Sequence, residues 1–404
     1  MPPPNKRQKL IQNRKVLITV AAVVLIGVVA LFLSFTFHTT ELPEHSSKSS
    51  VSSTSQSQTL RIIATGDTIA HDALNAAAKK ADGSYDYYQF MKPLKQYFDK
   101  ADIRFCNQAV PGGGTEFGIR GYPVFNSPLE VARDLDKMGC NVINTGTNHT
   151  FDNGQPVIDA ELNYWDKLPN VLAVAGANRS PEEQHKLRLF SVKGVKFAFL
   201  SYSTYSNSKP LNSYGLNVYN AETAKREITE ARQKADIVLV SMRWGTEYSP
   251  NVNAEQERVA QQLADAGADI VWGHGPHVLE PVRQLTGSNN HKTYVWYSIG
   301  NFLNAQENIE SLVSGLAITD INLKTKQVEA PKYLPVYMHY EWTAEEKAHE
   351  DLLKRHNFTI VPLDQAATLL ARSQNNTTVA AQTARVQAAL GGQQAVTLVT
   401  SKTY

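Results

Sequence analysis

Cysteine is scarce in this sequence, and neither sign of charge is in large excess. The chain has 404 residues but only two cysteines, Cys106 and Cys140. Two cysteines exclude the disulfide framework of a small secreted domain, and without paired spacing they exclude a structural zinc site. We expect buried thiols that act as small hydrophobic side chains, with a single disulfide outside the cytoplasm as the alternative. The formal net charge is only +2, which gives no electrostatic argument for a nucleic-acid partner.

Charged residues are absent from residues 16–37. As a helix with a rise of about 1.5 Å per residue, this segment would span about 33 Å, slightly more than a hydrocarbon core of about 30 Å. A cleaved signal peptide is the alternative, but its apolar stretch would be shorter and would end in a small-x-small site, which is not found after Phe37. The preceding residues 1–15 are basic and should stay in the cytoplasm. We therefore predict one transmembrane anchor in the cell membrane, with the rest of the chain outside the cell.

Changes in composition divide the remainder of the chain. Residues 38–59 are dominated by serine and have too few apolar side chains to offset the entropy of ordering, so we predict a flexible linker. In residues 60–342 short β-branched runs alternate with amphipathic stretches, which indicates one α/β domain. Residues 343–404 lose this pattern. We treat them as a C-terminal extension, which the sequence allows to be either helical or partly disordered.

Seven runs in the predicted domain have the length and the β-branched content of buried strands. They are Leu60–Thr65, Ile103–Cys106, Asn141–Asn144, Lys196–Tyr202, Asp236–Ser241, Asp269–Trp272 and Thr293–Ser298.

Two of the intervening helices have start and stop signals. The run Ser127–Glu130 has the pattern of a capping box with proline at the first helical position, and Gly139 is expected to end that helix. Asn253 and Gln256 are expected to begin another helix, which Gly267 ends.

Polar residues stand at or just after the carboxyl ends of the predicted strands. Open α/β sheets bind ligands at that edge, so we expect these side chains to form one site. They are Asp67, Asn107, Asn148, His149, Asp152, Arg243, Glu247, His274, His277 and Asn301.

Oxygen and imidazole groups of this kind are the usual ligands of Mg²⁺, Mn²⁺ or Zn²⁺. With two such ions, the site would hydrolyse phosphoesters. The predicted metal ligands are Asp67, Asn107, Asn148, His274 and His277. His149 would act as a general acid held by Asp152, with Arg243 beside them as a third catalytic position. Glu247 and Asn301 would contact the substrate or support the ligands.

The same residues also have purely structural interpretations. Asp67 could cap the turn after its strand. His149 and Asp152 could form a local hydrogen-bonded pair at the start of a helix. A solitary histidine is more often structural than a ligand, but His274 and His277 are three residues apart beside glycines, which favours a site.

Several motifs occur in a fixed order between about residues 60 and 303. They are Gly66-Asp67, Thr147-Asn148-His149-x-x-Asp152-x-Gly154, Trp244-Gly245-x-Glu247-Tyr248, Gly273-His274-x-Pro276-His277-Val278 and Tyr297-Ser298-x-Gly300-Asn301-Phe302. This series resembles the CapA/PgsA family of poly-γ-glutamate capsule proteins. The resemblance implies a layered α-β-β-α sandwich like that of calcineurin-like metallophosphatases, preceded here by one transmembrane helix. It also implies a role in poly-γ-glutamate synthesis or export at the membrane.

Three positions depart from the pattern of that family. Ala109 stands where the family has glutamate, and Arg243 and Gly275 stand where it has histidine. A guanidinium stays protonated and has no lone pair to offer a metal. We therefore predict that Arg243 pairs with Asp67 or with an anionic ligand, and that at most one Mn, Mg or Zn ion remains.

Three functions follow from these observations. The first is an accessory protein in synthesis or export of poly-γ-glutamate or a similar capsular polymer, with the anionic polymer or its synthase complex as partner. The second is an active metal-dependent phosphoesterase. The third is a non-catalytic scaffold that binds the polymer. The substitutions at Ala109 and Arg243 favour the first and third, and whether the chain is an enzyme stays open.

Overall fold

The computed structural model describes residues 58–404. The predicted basic segment, the predicted transmembrane anchor and nearly all of the predicted linker lie outside the described residues. Among residues 58–404, no helix has the length and apolar character needed to cross a membrane.

The described part of the chain contains fifteen strands. They are β1 (Thr59–Thr68), β2 (Ile103–Gln108), β3 (Val142–Asn144), β4 (Ala173–Ala175), β5 (Arg188–Val192), β6 (Val195–Ser203), β7 (Ile237–Arg243), β8 (Ile270–His274), β9 (Leu279–Thr286), β10 (Lys292–Ile299), β11 (Asn301–Leu303), β12 (Val313–Asn322), β13 (Lys332–Glu341), β14 (His356–Pro362) and β15 (Thr397–Leu398).

Helices connect these strands. The α-helices are α1 (Asp72–Ala78), α2 (Tyr88–Met91), α3 (Lys95–Phe98), α4 (Glu130–Met138), α5 (Gln155–Trp165), α6 (Pro181–Gln184), α7 (Ala221–Lys234), α8 (Ala254–Ala266), α9 (Ile309–Leu312), α10 (Ala344–Ala348), α11 (Ala367–Arg372) and α12 (Val379–Ala389). Short 3₁₀ turns are found at Lys92–Leu94, Thr115–Phe117, Ser288–Asn290, Leu352–Lys354 and Leu363–Gln365.

The strands form two mixed sheets within the described residues. The first has the order β14-β13-β12-β1-β2-β3-β4, with β11 beside β1 and β15 beside β13. The second has the order β5-β6-β7-β8-β10-β9. All seven predicted strands are confirmed, since each overlaps one of β1, β2, β3, β6, β7, β8 and β10.

Large apolar side chains hold the two sheets face to face. Phe105 of β2 stacks on Trp272 of β8 with ring centroids 4.5 Å apart. Along β7 the faces alternate as a strand requires: Leu239 belongs to the core between the sheets, and Val240 belongs to a separate core with α7 and α8. One sheet face therefore packs on the other sheet and the opposite face packs on helices. This arrangement confirms the predicted α/β fold class.

One of the two predicted capping boxes is confirmed. At α8, Asn253 accepts from the Gln256 backbone and Gln256 accepts from the Asn253 backbone, while Gly267 ends the helix at φ 103°. The predicted box at Ser127–Glu130 is wrong. Helix α4 begins without a side-chain cap, because the Glu130 carboxylate instead accepts a hydrogen bond from the Tyr85 backbone N–H at 3.3 Å.

The two cysteines are joined as a disulfide, so the expected pair of free thiols is wrong. Parallel pairing of β2 with β3 sets Phe105 opposite Val142, which brings Cys106 close to Cys140 just before β3. Their Cα atoms are 5.8 Å apart, within the range that a disulfide spans. The bond therefore links neighbouring strands beneath the edge where the polar residues gather.

The segment after residue 342 continues the first sheet. Strand β14 pairs antiparallel with β13, and β15 pairs parallel with the other end of β13. The helix that the composition left open is present at α12, where Thr378 accepts from the Ala381 backbone N–H. The strand pairing was not predicted. Residues 343–404 thus pack on the same sheet that carries Asp67.

Candidate functional site

The registers of the two sheets bring the predicted polar residues together. In the first sheet, Asp67 pairs with Asn107 on one side and with Asn301 on the other. In the second sheet, Arg243 at the end of β7 pairs with His274 at the end of β8. Because the sheets pack face to face, these strand ends border one cavity of about 400 Å³.

Seven of the ten predicted site residues line this cavity: Asp67, Asn107, Asn148, His149, Arg243, Glu247 and His277. The other three each contact one of them: Asp152 contacts His149, His274 is next to Asp67, and Asn301 contacts His277.

Asp67 is the buried centre of the site. Its Oδ1 accepts a hydrogen bond from Asn107 Nδ2 at 2.6 Å, and its Oδ2 lies 2.8 Å from His277 Nδ1. Nδ1 of His277 is also 3.0 Å from Asn301 Oδ1, which is its hydrogen-bond partner, whereas Asp67 Oδ2 meets the imidazole in a close polar contact without a hydrogen bond among the described residues. Burial raises the pKa of Asp67, but the imidazoles of His274 and His277 outweigh it and hold the pKa well below its ordinary value. The carboxylate is therefore ionised at neutral pH.

Asn107 is held by a chain of buried amides that the sequence did not indicate. Its Oδ1 accepts from Asn144 Nδ2 at 2.7 Å, and the Oδ1 of Asn144 accepts from the Ser201 hydroxyl. The amide nitrogen of Asn107 consequently faces Asp67. That nitrogen is a donor and binds no cation, so in this orientation Asn107 positions the carboxylate.

His274 is buried beside Asp67, and neither of its ring nitrogens has a hydrogen-bond partner among the described residues. Its Nδ1 lies 3.5 Å from Asp67 Oδ1, beyond the usual hydrogen-bond length, and its ring stacks on Phe105 with centroids 5.4 Å apart. Buried polar groups in folded proteins almost always have partners. This imidazole is accordingly the member of the site with the clearest capacity for one more ligand.

His149 and Asp152 form the expected pair on the opposite wall. His149 Nδ1 is 2.7 Å from Asp152 Oδ2, which also accepts from the Phe125 backbone N–H at 2.9 Å. The Phe125 ring meets the imidazole edge to face with centroids 4.8 Å apart. These contacts fix the ring and leave Nε2 with a single long contact of 3.4 Å to Asn207. A role for His149 as an acid remains a prediction.

Arg243 does not contact Asp67 among the described hydrogen bonds and ion pairs, so that predicted pairing is wrong. Its Nε donates to Asn148 Oδ1 at 2.7 Å, and its Nη2 donates to Tyr205 Oη at 2.9 Å and to Glu247 Oε1 at 3.0 Å. The reason is the direction of the side chain, which leaves the end of β7 toward the loop that carries Asn148. Tyr205, which the motifs did not include, is half-exposed and covers the guanidinium with its ring.

Gly275 gives the guanidinium its space. A Cβ atom at residue 275 would lie 1.7 Å from Arg243 Nη1, and the φ angle of Gly275 is +112°, a conformation that side chains disfavour. Two of the three departures from the family pattern are therefore physically linked, because the arginine occupies the volume that a side chain at residue 275 would need.

The donors near Asp67 and near Asn148 differ in whether they suit a divalent cation. Within residues 58–404, no three His, Cys, Asp or Glu side chains form a metal-binding cluster. Near Asp67, a buried carboxylate and the unpartnered imidazole of His274 are donors of the type that Mn²⁺ or Zn²⁺ prefers. Near Asn148, the amide oxygen already accepts from Arg243, whose charge repels a cation. The donors beside Asp67 are therefore of a kind that suits a divalent cation, whereas the engaged amide oxygen of Asn148 is not.

Other cavity residues have no sequence motif to mark them. His71 is partly buried, and its Nδ1 accepts from the Ala305 backbone N–H at 3.2 Å. Burial lowers the pKa of His71 to about 3, so it is neutral near pH 7. Glu307, Leu352 and Arg355 also line the cavity. The last two come from the C-terminal segment, where no motif was recognised.

Comparison with known proteins was made for the chain and for its fold. Residues 61–306 match the family described as "Bacterial capsule synthesis protein PGA_cap". The chain is 34% identical over 177 residues to "PGA biosynthesis protein CapA" of Bacillus subtilis (strain 168), an alignment covering 43% of this chain and 45% of that protein. It is 26% identical over 181 residues to "Capsule biosynthesis protein CapA" of Bacillus anthracis, covering 43% and 42%. The chain thus spans less than half the length of these curated relatives.

Similarity to solved structures is much weaker. A phosphatase from Mycoplasma pneumoniae matches with a TM-score of 0.41 and 13% identity, covering 69% of this chain and 93% of that one. The 5'-nucleotidase from Candida albicans SC5314 matches with a TM-score of 0.38 and 13% identity, covering 68% and 51%. These values are too low to transfer an activity or a metal site to this chain.

Proposed function

This chain belongs to the family of bacterial capsule synthesis proteins, whose pattern it matches over more than half of its length, and from that premise we propose that it is an accessory protein in synthesis or export of poly-γ-glutamate or a similar capsular polymer. The curated relatives are named for PGA or capsule biosynthesis. The match spans less than half of those relatives. The identity of the polymer is therefore part of the proposal, and so is the partner, which is either the polymer itself or its synthase complex.

The position of Arg243 carries the proposal that the cavity binds an anion. The guanidinium is 3% exposed, and Asn148 and Tyr205 hold it at the cavity wall. A buried, fixed cation favours a carboxylate or phosphate partner through charge-assisted hydrogen bonds. In the structure, the Glu247 carboxylate takes that place, 3.0 Å from Nη2.

The remaining cavity residues have complementary roles in this proposal. Ile69, Val110 and Phe125 offer apolar contact to the methylene groups of a polymer unit. His149, oriented by Asp152, offers Nε2 to a polar group of the ligand. Together they would bind and orient one segment of the polymer.

We also propose that at most one divalent ion, Mn, Mg or Zn, binds beside Asp67, held by that carboxylate with the unpartnered imidazole of His274. Such an ion would supply Lewis-acid polarisation of a bound oxygen. An active phosphoesterase is the alternative that the ionised Asp67 and the His149–Asp152 pair favour. A non-catalytic polymer-binding scaffold is the alternative that the engaged Asn148 favours.

Genetic complementation tests the proposed function. The gene is deleted in the bacterium that carries it and restored as wild type, as Arg243→Gln, or as Arg226→Gln on the surface of α7. We expect deletion to abolish or strongly reduce the capsular polymer, measured as γ-linked glutamate in cell-surface extracts. Arg243→Gln should fail to restore it, whereas Arg226→Gln should restore it. Unchanged polymer after deletion would rule the proposal out.

Metal analysis of the full-length chain in detergent tests the proposed metal count. After equilibration with Mn²⁺ and removal of free ion, we expect no more than one ion per chain. Arg243→His with Ala109→Glu frees Asn148 Oδ1 and adds a carboxylate, so the double variant should retain more Mn²⁺ than wild type. Two tightly bound ions in the wild type would contradict the count.

A further inference from the structure

Two buried arginines line the cavity, and each is covered by a half-exposed glutamate. Arg243 is 3% exposed and pairs at 3.0 Å with Glu247, which is 43% exposed. Arg355 is 5% exposed and pairs at 2.8 Å with Glu307, which is 42% exposed. All four residues border the same cavity of about 400 Å³. In both pairs the cation is buried in the wall and the anion faces solvent.

The guanidinium of Arg355 is held independently of its glutamate. Its Nη1 donates to the Ala305 carbonyl, and its plane lies over Trp342 at 4.2 Å and Tyr340 at 5.1 Å from the ring centroids. Within residues 58–404, the Nε of Arg355 has no hydrogen-bond partner. Aromatic stacking and a backbone contact therefore fix the cation, which keeps unused donor capacity.

Glu307 is held much less firmly than the arginine it covers. Apart from Arg355, the charged side chain near its carboxylate is Lys347, at 3.5 Å and itself 46% exposed. The contact between Glu307 and Lys347 is exposed at both ends, and such ion pairs contribute little to stability, since side-chain ordering and solvent screening offset most of the attraction. A second carboxylate that enters the cavity can replace that of Glu307 on Arg355 without leaving the buried guanidinium unpaired.

We propose that Arg355 is a second carboxylate-binding residue of the cavity, and that Glu247 and Glu307 are internal carboxylates which the ligand displaces. The ligand class is an oligomer with a carboxylate on successive units, bound at both arginines. This inference rests on the proposed function in taking the polymer to be a polycarboxylate. It adds a binding residue from outside residues 61–306, the part of the chain that matches the family.

Calorimetric titration of the full-length chain in detergent tests the inference. The probes are a γ-linked and an α-linked glutamate pentamer. We expect Glu307→Gln to tighten binding about two- to fivefold, the factor that corresponds to loss of one weak competing ion pair. Arg355→Gln should weaken binding about tenfold or more. The control Glu222→Gln, at an exposed position on α7, removes the same charge and should leave affinity unchanged.

A double variant keeps the test decisive if Arg355→Gln also disturbs folding. Adding Glu307→Gln to Arg355→Gln should give no gain in affinity, because the gain depends on freeing that guanidinium. If Arg355 only stabilises the fold and does not contact the ligand, Glu307→Gln will not tighten binding. The inference then fails while the proposed function stands. If the α-linked pentamer binds as well as the γ-linked one and Glu307→Gln tightens both, the inference stands and the assignment of poly-γ-glutamate fails. A wild-type chain that binds neither pentamer overturns both.

Discussion

Arg243 and Gly275 act as one unit at the residue scale. The guanidinium lies in the space where a Cβ at residue 275 would be, so neither residue can be changed without regard to the other. The arginine carries a permanent charge into a wall that also holds the ionised carboxylate of Asp67. The two charged groups do not meet, because Asn148 and Glu247 engage the guanidinium. The guanidinium of Arg243 and the carboxylate of Asp67 therefore line the cavity as two separate charged groups.

Gly275→Ala is predicted to destabilise the chain far more in the presence of Arg243 than in its absence. The positive φ alone costs about 1–3 kcal/mol, and the clash with Nη1 adds to this. In an Arg243→Ala background the positive φ and a 2.7 Å approach to the Trp244 carbonyl oxygen remain, but the clash with the guanidinium is gone. The double-mutant cycle should therefore give a coupling of about 1–3 kcal/mol. Urea unfolding followed by tryptophan fluorescence measures both differences.

Gly194→Ala is the matched control for that cycle. Gly194 also has a positive φ, +77°, but a Cβ there would have no neighbour within 4 Å. Its cost should be the same with and without Arg243. Equal destabilisation by Gly275→Ala in both backgrounds would show that the arginine does not fill that space.

The membership of the candidate site and the contact between His149 and Asp152 could be predicted from the sequence, but the partners of Arg243 and Asn107 could not. Asp67, His149 and His274 were placed together because strand ends of an α/β sheet share an edge. The partner of Arg243 depends on the direction in which a long side chain leaves β7, which no local pattern encodes. Arg355 was missed for another reason: its neighbours along the chain form no motif, and only the pairing of β13 with β14 brings it to the cavity.

At the scale of elements, buried strands were the most predictable feature. Strands β6, β7 and β8 contain the uninterrupted apolar runs Phe197–Leu200, Ile237–Val240 and Ile270–Trp272, as expected for strands covered on both faces. Strand β14 was missed although its buried residues Phe358, Ile360 and Pro362 alternate with more exposed ones, which is the pattern of a half-buried strand. The start of α4 was misplaced because a long-range contact of Glu130 replaced the local cap. A tertiary partner therefore decided where that helix begins.

The disulfide between Cys106 and Cys140 ties β2 to β3 at the element scale. The two cysteines are 34 residues apart, so closing that loop should stabilise the fold by about 3–4 kcal/mol in the chain-entropy estimate. We predict that Cys106→Ala with Cys140→Ala lowers the free energy of unfolding by that amount. Urea unfolding with and without reductant measures it.

The reductant supplies the internal control for this prediction. Wild type should lose stability when reduced, and the double variant should not respond, since it has no disulfide to lose. If reduction leaves the wild type unchanged, the bond contributes nothing to the stability of the sheet.

At the scale of the whole molecule, the disulfide and the apolar segment 16–37 both bear on which side of the membrane residues 60–404 lie. Disulfides form and persist in oxidising compartments and are rare in the cytoplasm. The bond between Cys106 and Cys140 therefore supports, independently of hydropathy, the proposal that residues 60–404 lie outside the cell. The basic residues before segment 16–37 support the same orientation through the positive-inside rule.

The disulfide and the apolar segment together predict that deleting residues 16–37 changes both the location of the chain and the redox state of its cysteines. The full-length chain should fractionate with membranes, be cleaved by protease added to intact cells freed of their wall, and show no free thiol when denatured and treated with a maleimide. The deletion variant should stay in the cytoplasm, resist the added protease and show two reactive thiols, because the reducing environment keeps Cys106 and Cys140 in the thiol form. A full-length chain that resists the protease in intact cells, or a deletion variant whose cysteines are oxidised inside the cell, would contradict the proposed orientation. The thiol count matters most, because it reports the compartment in which the domain folded rather than where the chain was recovered.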